Sequence, residues 1–183
     1  VGAGLVFAGC SDSGTDASTG TQPSSSGQAK TPTTFSISTP SVSARMTCSE
    51  EEIQNAITLT LGLNAHPPKS SKWVKPVFYC TYTLHEGPLR LTVTEFKSDA
   101  AAVDELQKIK TQYTQAKTPI QTLENFEVPA FLASDDIVVT VKDNKLLRVD
   151  ATQLPKTVGP LHRSRRDLSY LVASAILRCW TGD

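Results

Sequence analysis

Between Ser11 and about Ala44 the chain is made of Ser, Thr, Gly, Pro and Gln with very few large apolar side chains. Such a tract cannot bury enough surface to offset the entropy lost in ordering it. Whatever folds must therefore be built from residues 45–183, and the tract reads as a tether. A Gly/Ser-rich coil of about 34 residues has a root-mean-square span of roughly 30 Å. Phe35 and Ile37 are its two candidates for touching a core, and they read as solvated or as brushing the domain edge.

The ten residues before the tether, Val1-Gly-Ala-Gly-Leu-Val-Phe-Ala-Gly-Cys10, read as the end of a secretory signal: an apolar stretch closed by small residues. The basic start of such a signal is missing and the chain opens on Val1, which reads as a truncated or mis-started copy. Phe7-Ala8-Gly9-Cys10 resembles the bacterial lipobox, with Phe7 where that pattern prefers Leu. The resemblance implies a diacylglyceryl group on the Cys10 thiol and cleavage just before it. Two acyl chains, each buried CH₂ contributing about 0.8 kcal/mol, hold a protein at a bilayer where a single chain binds only marginally. An ordinary secreted protein whose signal happens to end near a cysteine is the competing reading. Small-small-Cys followed directly by a structureless tract favours the anchor.

The 18 basic and 18 acidic residues cancel, and no basic stripe points to nucleic acid. No apolar run approaches the ~20 residues of a membrane-spanning helix. At 183 residues one folded domain is expected.

Within it, Thr47-Cys48-Ser49-Glu50 has the form of a capping box, repeated by Ser49 to Glu52, so a helix is predicted to start here. Ile53, Ala56, Ile57 and Leu61 keep helical spacing and Gly62 is placed to end it. Asn64 to Pro76, with three prolines, reads as a loop whose Trp73 covers an edge of the core. Val77–Leu84 and Leu89–Phe96 form a predicted hairpin. Alternation puts Phe78, Cys80, Tyr82 and Leu84 on one face of the first strand and Leu89, Leu91 and Val93 on one face of the second. A second helix runs from Ser98 to about Lys117, burying Val103, Leu106, Ile109 and Tyr113.

Ala130–Ala133 reads as a strand, and Ile137–Val141 with Leu146–Ala151 as another hairpin. A three-residue loop, Asp143–Lys145, is preferred because it sets Val141, Val139 and Ile137 opposite Leu147, Val149 and Ala151. A two-residue loop would put Val139 against Arg148. The last helix is placed from near Pro160 to Cys179, on the stripe Leu168, Leu171, Val172, Ala175, Ile176 and Cys179. The predicted order is α-β-β-α-β-β-β-α: an α+β fold, a two-layer arrangement with an antiparallel sheet of about five strands backed by helices.

Export favours pairing among the cysteines that remain after Cys10. Cys80 faces inward, and Cys48 lies on a helix that must cover the same sheet, so a Cys48–Cys80 bond is expected. Cys179 then reads as a buried thiol. A bond between Cys179 and Cys48, leaving Cys80 free, is the alternative.

A helix-borne Cys48, a strand Cys80 within Phe-Tyr-Cys-Thr-Tyr, a later strand pair and a closing helix, behind a lipobox and tether, resemble the two-cysteine envelope lipoproteins of actinobacteria. The layout is more loosely similar to PsbP-like lipoproteins and to the extracellular sensor domains of mycobacterial receptor kinases. The resemblance covers residues 45–183 by layout, and residue by residue carries over Cys48 and Cys80 alone. The third cysteine departs from it. It implies a non-enzymatic envelope protein.

Catalytic motifs are absent: the sequence has no Gly-x-Ser-x-Gly, His-Glu-x-x-His, phosphate loop or Cys-x-x-Cys. His66, His85 and His162 stand apart without ligand spacing and read as surface residues; no metal or cofactor is expected. Asp135-Asp136 reads as turn chemistry. His162-Arg163-Ser164-Arg165-Arg166-Asp167 places Arg163, Arg165 and Arg166 at a helix start, where the macrodipole disfavours cations. Such a cluster suits an anion, a lipid headgroup or an anionic wall polymer, and otherwise is a solvated turn neutralised by Asp167 and nearby acids.

The sequence thus predicts a lipid-anchored protein at the membrane's outer face with a non-catalytic ligand-binding or sensing domain, its ligand or partner held on the exposed side of the sheet or in the cleft between the sheet and a helix. Its partners would be the membrane, through the lipid, and an envelope ligand or protein. An envelope-acting hydrolase with an unrecognised site is the alternative.

Overall fold

The structure, a computed structural model, describes residues 38–180. The lipobox with Cys10, the tether up to residue 37, Phe35 and Ile37 lie outside the described residues. The fold is α+β: a seven-stranded, open, fully antiparallel sheet in the order β1-β2-β3-β7-β6-β5-β4, with helices packed against it. The strands are β1 (Lys69–Val74), β2 (Val77–Leu84), β3 (Gly87–Glu95), β4 (Ile120–Thr122), β5 (Ala130–Ala133), β6 (Val138–Lys142) and β7 (Lys145–Asp150). A two-stranded ribbon, β8 (Thr157–Val158) with β9 (Arg163–Ser164), stands apart from the sheet.

Both edge strands escaped sequence reading. β1 lies where a loop was expected and is almost wholly exposed, so it carries no buried alternation to betray it. Its Lys69, Ser70, Ser71 and Lys72 are residues that suit an unpaired sheet edge. β4 has three residues and follows Pro119 directly.

The helices are α1 (Val42–Ser49), α2 (Glu51–Leu61), α3 (Asp99–Gln115) and α4 (Arg165–Cys179). The expected capping box does not form. The chain is helical from Val42, capped by Ser41 Oγ accepting from the Ala44 N–H at 3.1 Å, so the last residues assigned to the tether already belong to the domain. Thr47 and Ser49 donate back to the carbonyls of Ala44 and Arg45 instead of capping a new turn. Glu50 then breaks the helix with an extended backbone and is the uncapped N-cap of α2. Gly62 ends α2 as predicted, in the left-handed region at φ 70°, with the Leu63 N–H on the Thr58 carbonyl.

α3 is capped by Ser98. α4 begins at Arg165, five residues later than expected, capped by Ser164. Ser169, Ala173 and Trp180 join its buried face, whereas Leu171, at the margin of the stripe, is 42% exposed.

The core has two parts. The larger joins α1, α2 and α4 to the inward residues Phe78, Cys80, Tyr82, Leu84, Leu89, Leu91 and Val93, and to Leu147 and Val149. Trp73 packs on it, as expected. The smaller lies across the sheet, where Ala102 and Leu106 of α3 meet Phe131, Val139, Val141 and Leu146. The β5–β6–β7 region is therefore buried on both faces.

That double burial reverses one register expectation. β6 and β7 are joined by the two-residue turn Asp143-Asn144, with Lys142 opposite Lys145, Val141 opposite Leu146 and Val139 opposite Arg148. Asp143 takes φ 51°, as a tight primed turn requires. With apolar partners waiting on either face, matching apolar to apolar on one face could not fix the pairing.

Cys48 and Cys80 form a disulfide with Cα atoms 5.5 Å apart, excluding the alternative that leaves Cys80 free. Beside it the buried Tyr82 hydroxyl donates to the Thr47 carbonyl at 2.9 Å, so α1 is fixed to β2 twice within two residues. Cys179 is buried but is not the free thiol expected; it too is disulfide-bonded. Among the described residues, no helix is long and apolar enough to cross a membrane.

Candidate functional site

Residues facing each other across antiparallel strands share a face of the sheet. The register β1-β2-β3-β7 therefore sets out two rows on the side away from the larger core. Lys72, Tyr79, Thr92 and Arg148 form one; Ser70, Thr81, Arg90 and Asp150 form the next. α3 covers the sheet beside these rows and leaves them open. Tyr79, Thr81, Arg90, Thr92, Arg148 and Asp150 of these rows line a groove of about 580 Å³, and Lys72 and Ser70 stand on the edge strand beyond it. Its size falls within the ~300–1,000 Å³ usual for ligand clefts.

The chemistry of this open face is cationic and hydroxylated. Lys72 and Arg90 are exposed, and among the described residues neither forms an ion pair. Arg148 touches Asp150 at 3.1 Å and keeps 40% of its side chain exposed. Asp150 also accepts from the Thr152 N–H at 3.0 Å and the Thr152 hydroxyl at 2.6 Å. Burial pushes its carboxyl up, but the Thr152 hydrogen bonds and the Arg148 charge outweigh that and hold it below the ordinary carboxylate range. Asp150 is thus a fixed anion that orients Arg148. Tyr79 offers an aromatic ring 40% exposed among Thr81, Thr92 and Thr94.

At the α3 rim the Tyr113 hydroxyl donates to Asp135 at 3.4 Å. Burial first, and then the Asp135 charge, push this phenol above its ordinary value.

The arginine cluster is divided. Arg165 Nε and Arg166 Nε donate to the two carboxylate oxygens of Asp136, at 2.7 and 3.3 Å. Arg165 also donates to the carbonyls of Thr152 and Leu154, tying the β7–β8 connection to the start of α4. Arg163 is elsewhere, exposed on β9 opposite Val158. The neutralising acid is thus Asp136, 29 residues upstream of Arg165, whereas the Asp167 N–H is capped by Ser164. Arg166 lines a cleft of about 500 Å³ whose walls include Glu124, Asp167 and Tyr170.

Asp135 and Asp136 do serve the turn: Asp135 Oδ1 accepts from the Ile137 N–H, and Asp136 takes φ 70°. His66 pairs with Asn55 at 2.8 Å, while His85 and His162 are exposed in turns. None of the three lines the groove. Among the described residues no set of three His, Cys, Asp or Glu side chains is grouped to hold a metal.

Sequence reasoning pointed to the arginines of α4 and named the open sheet face only in general. Tyr79, Arg90 and Arg148 were legible in principle as positions out of phase with the inward apolar set. What was missing was the strand order that brings β7 beside β3. Comparison with family models, with characterised proteins and with solved structures finds no match.

Proposed function

We propose that this is a lipid-anchored protein of the extracytoplasmic membrane face whose domain binds or senses a ligand without chemically altering it, akin to the actinobacterial envelope lipoproteins. The observation carrying the binding role is the uncovered side of β1-β2-β3-β7, where three cations, one oriented carboxylate, several hydroxyls and an exposed ring converge. α3 closes the neighbouring part of the same face with an apolar core, so the uncovered part is a bounded polar surface beside a helix. The groove's carboxylate, Asp150, is committed to Arg148 and Thr152 rather than free to move a proton, which supports binding over hydrolysis. The anchor is supported by Phe7-Ala8-Gly9-Cys10 and the tract behind it, and the Cys48–Cys80 bond suits an oxidising compartment. It requires that the bonded Cys179 find its partner in another chain, because Cys10 is the one cysteine left in this sequence and a thioether would occupy its sulfur.

The test is peptide mass spectrometry on protein extracted from the membranes of its native cells. The mature N-terminal peptide is expected to start at Cys10 and to carry a diacylglyceryl thioether. Recovery of the protein in culture fluid with an unmodified Cys10, or a non-reduced map joining Cys10 to Cys179, overturns the anchor.

A further inference from the structure

We infer that the ligand of the open sheet face is an acidic glycan, a sugar chain carrying carboxylate or phosphate groups; this rests on reading that face as the binding surface. Charge and spacing on the face both favour such a chain. The chain as a whole is neutral, yet the two rows present Lys72, Arg90 and Arg148 against Asp150 alone. Asp150 is already engaged by Arg148 and Thr152, so the spare attraction on the face is for anions. The acid at the rim, Asp135, is held by Tyr113. Guanidinium groups recognise carboxylates and phosphates through paired, directional donors.

An anion alone would not need the rest of the row. Between Lys72 on β1 and Arg148 on β7 lie the Tyr79 ring and the Thr92 hydroxyl, in register across three inter-strand gaps. Those gaps add up to roughly 14 Å, about the length of three pyranose rings. The half-exposed Tyr79 ring suits the C–H face of a sugar, its hydroxyl and the threonines suit sugar hydroxyls, and the end cations suit acidic groups on the flanking rings. A phospholipid headgroup would meet the charges and leave the ordered row without a partner.

The experiment is calorimetric titration of the full chain with trigalacturonate and with maltotriose, three rings each, the first acidic and the second neutral. Trigalacturonate is expected to bind at least tenfold more tightly, with affinity falling as salt rises. Arg90→Gln, at an exposed position whose loss leaves the core intact, is expected to weaken it about tenfold, and Tyr79→Ala to weaken both sugars. A urea midpoint equal to that of the parent shows that each variant is folded. Equal affinity for the two sugars, or trigalacturonate binding indifferent to Arg90→Gln, overturns the acidic-glycan assignment. Vesicles of anionic phospholipid form the second arm. If they bind, trigalacturonate does not, and Arg90→Gln abolishes vesicle binding, the ligand class falls and the binding face stands. If neither probe binds, both fall.

Discussion

Asp150 shows how a single residue can be structural and still shape a binding face. Its carboxylate is held by the Thr152 backbone and hydroxyl and by Arg148, and these outweigh its desolvation, so its folded value lies below the ordinary one. The sign follows from linkage. As pH falls, the unfolded chain takes up this proton before the folded one does, so the stabilisation is present in full above the ordinary carboxylate range. It is lost as acidification proceeds from about pH 4 through the depressed folded value. Urea midpoints at pH 6 and pH 3 should therefore differ more for the parent than for Asp150→Asn; equal differences would sink the assignment. The same scale shows why some of the site was hidden. Asp136 and its two arginines are about thirty residues apart in sequence, and only the fold reveals that a turn carboxylate neutralises the basic cluster. Ser164, by contrast, caps a residue only three positions on, Asp167, a local signal that the expected helix start near Pro160 passed over.

Among the elements, what sequence pattern made legible was whatever had one wet and one dry face. The inward sets of β2 and β3 are as predicted, and the cap residues Gly62 and Ser98 end or start helices where expected. Elements lacking that asymmetry are less legible: β1, exposed along nearly all its length, reads as a loop, and the β6–β7 hairpin, dry on nearly all of both faces, reads as a hairpin but in the wrong register. α1 is the most dependent element. It is eight residues long, too short to be stable alone, and is fastened by Cys48–Cys80 and by Tyr82 on Thr47. With its ends separated by 32 positions in the sequence, the disulfide should contribute about 3–4 kcal/mol on the chain-entropy model. Cys48→Ser with Cys80→Ser is expected to lower unfolding free energy by about 2–4 kcal/mol and to speed amide exchange selectively in α1. Substitution is the required form of the experiment, because a reductant would also open the bond at Cys179. A loss under about 0.5 kcal/mol, with α1 protection unchanged, would show that the packing of Ala44 and Tyr82 holds the helix unaided.

The whole molecule is one sheet serving two cores, and its cooperativity follows from that sharing. Val139 and Val141 of β6 point to the smaller core while Val138, on the same strand, points to the larger; on β7 Leu146 and Leu147 divide in the same way. Neither core can come apart without disturbing strands that line the other, so the two should melt together. The tryptophans make this measurable: Trp180 is buried in the larger core and Trp73 packs against it, so fluorescence reports that side alone. Leu106, fully buried on α3, belongs to the other side. Leu106→Ala should cost about 2–5 kcal/mol through lost burial and the cavity left behind. If the sheet couples the cores, that whole cost appears in the tryptophan transition, coincident with the loss of far-ultraviolet helix signal. A tryptophan midpoint left in place while helix signal is lost early would mean that α3 and its half of the sheet unfold separately. The groove would then have a yielding wall, because α3 borders the open face on which the proposed ligand lies.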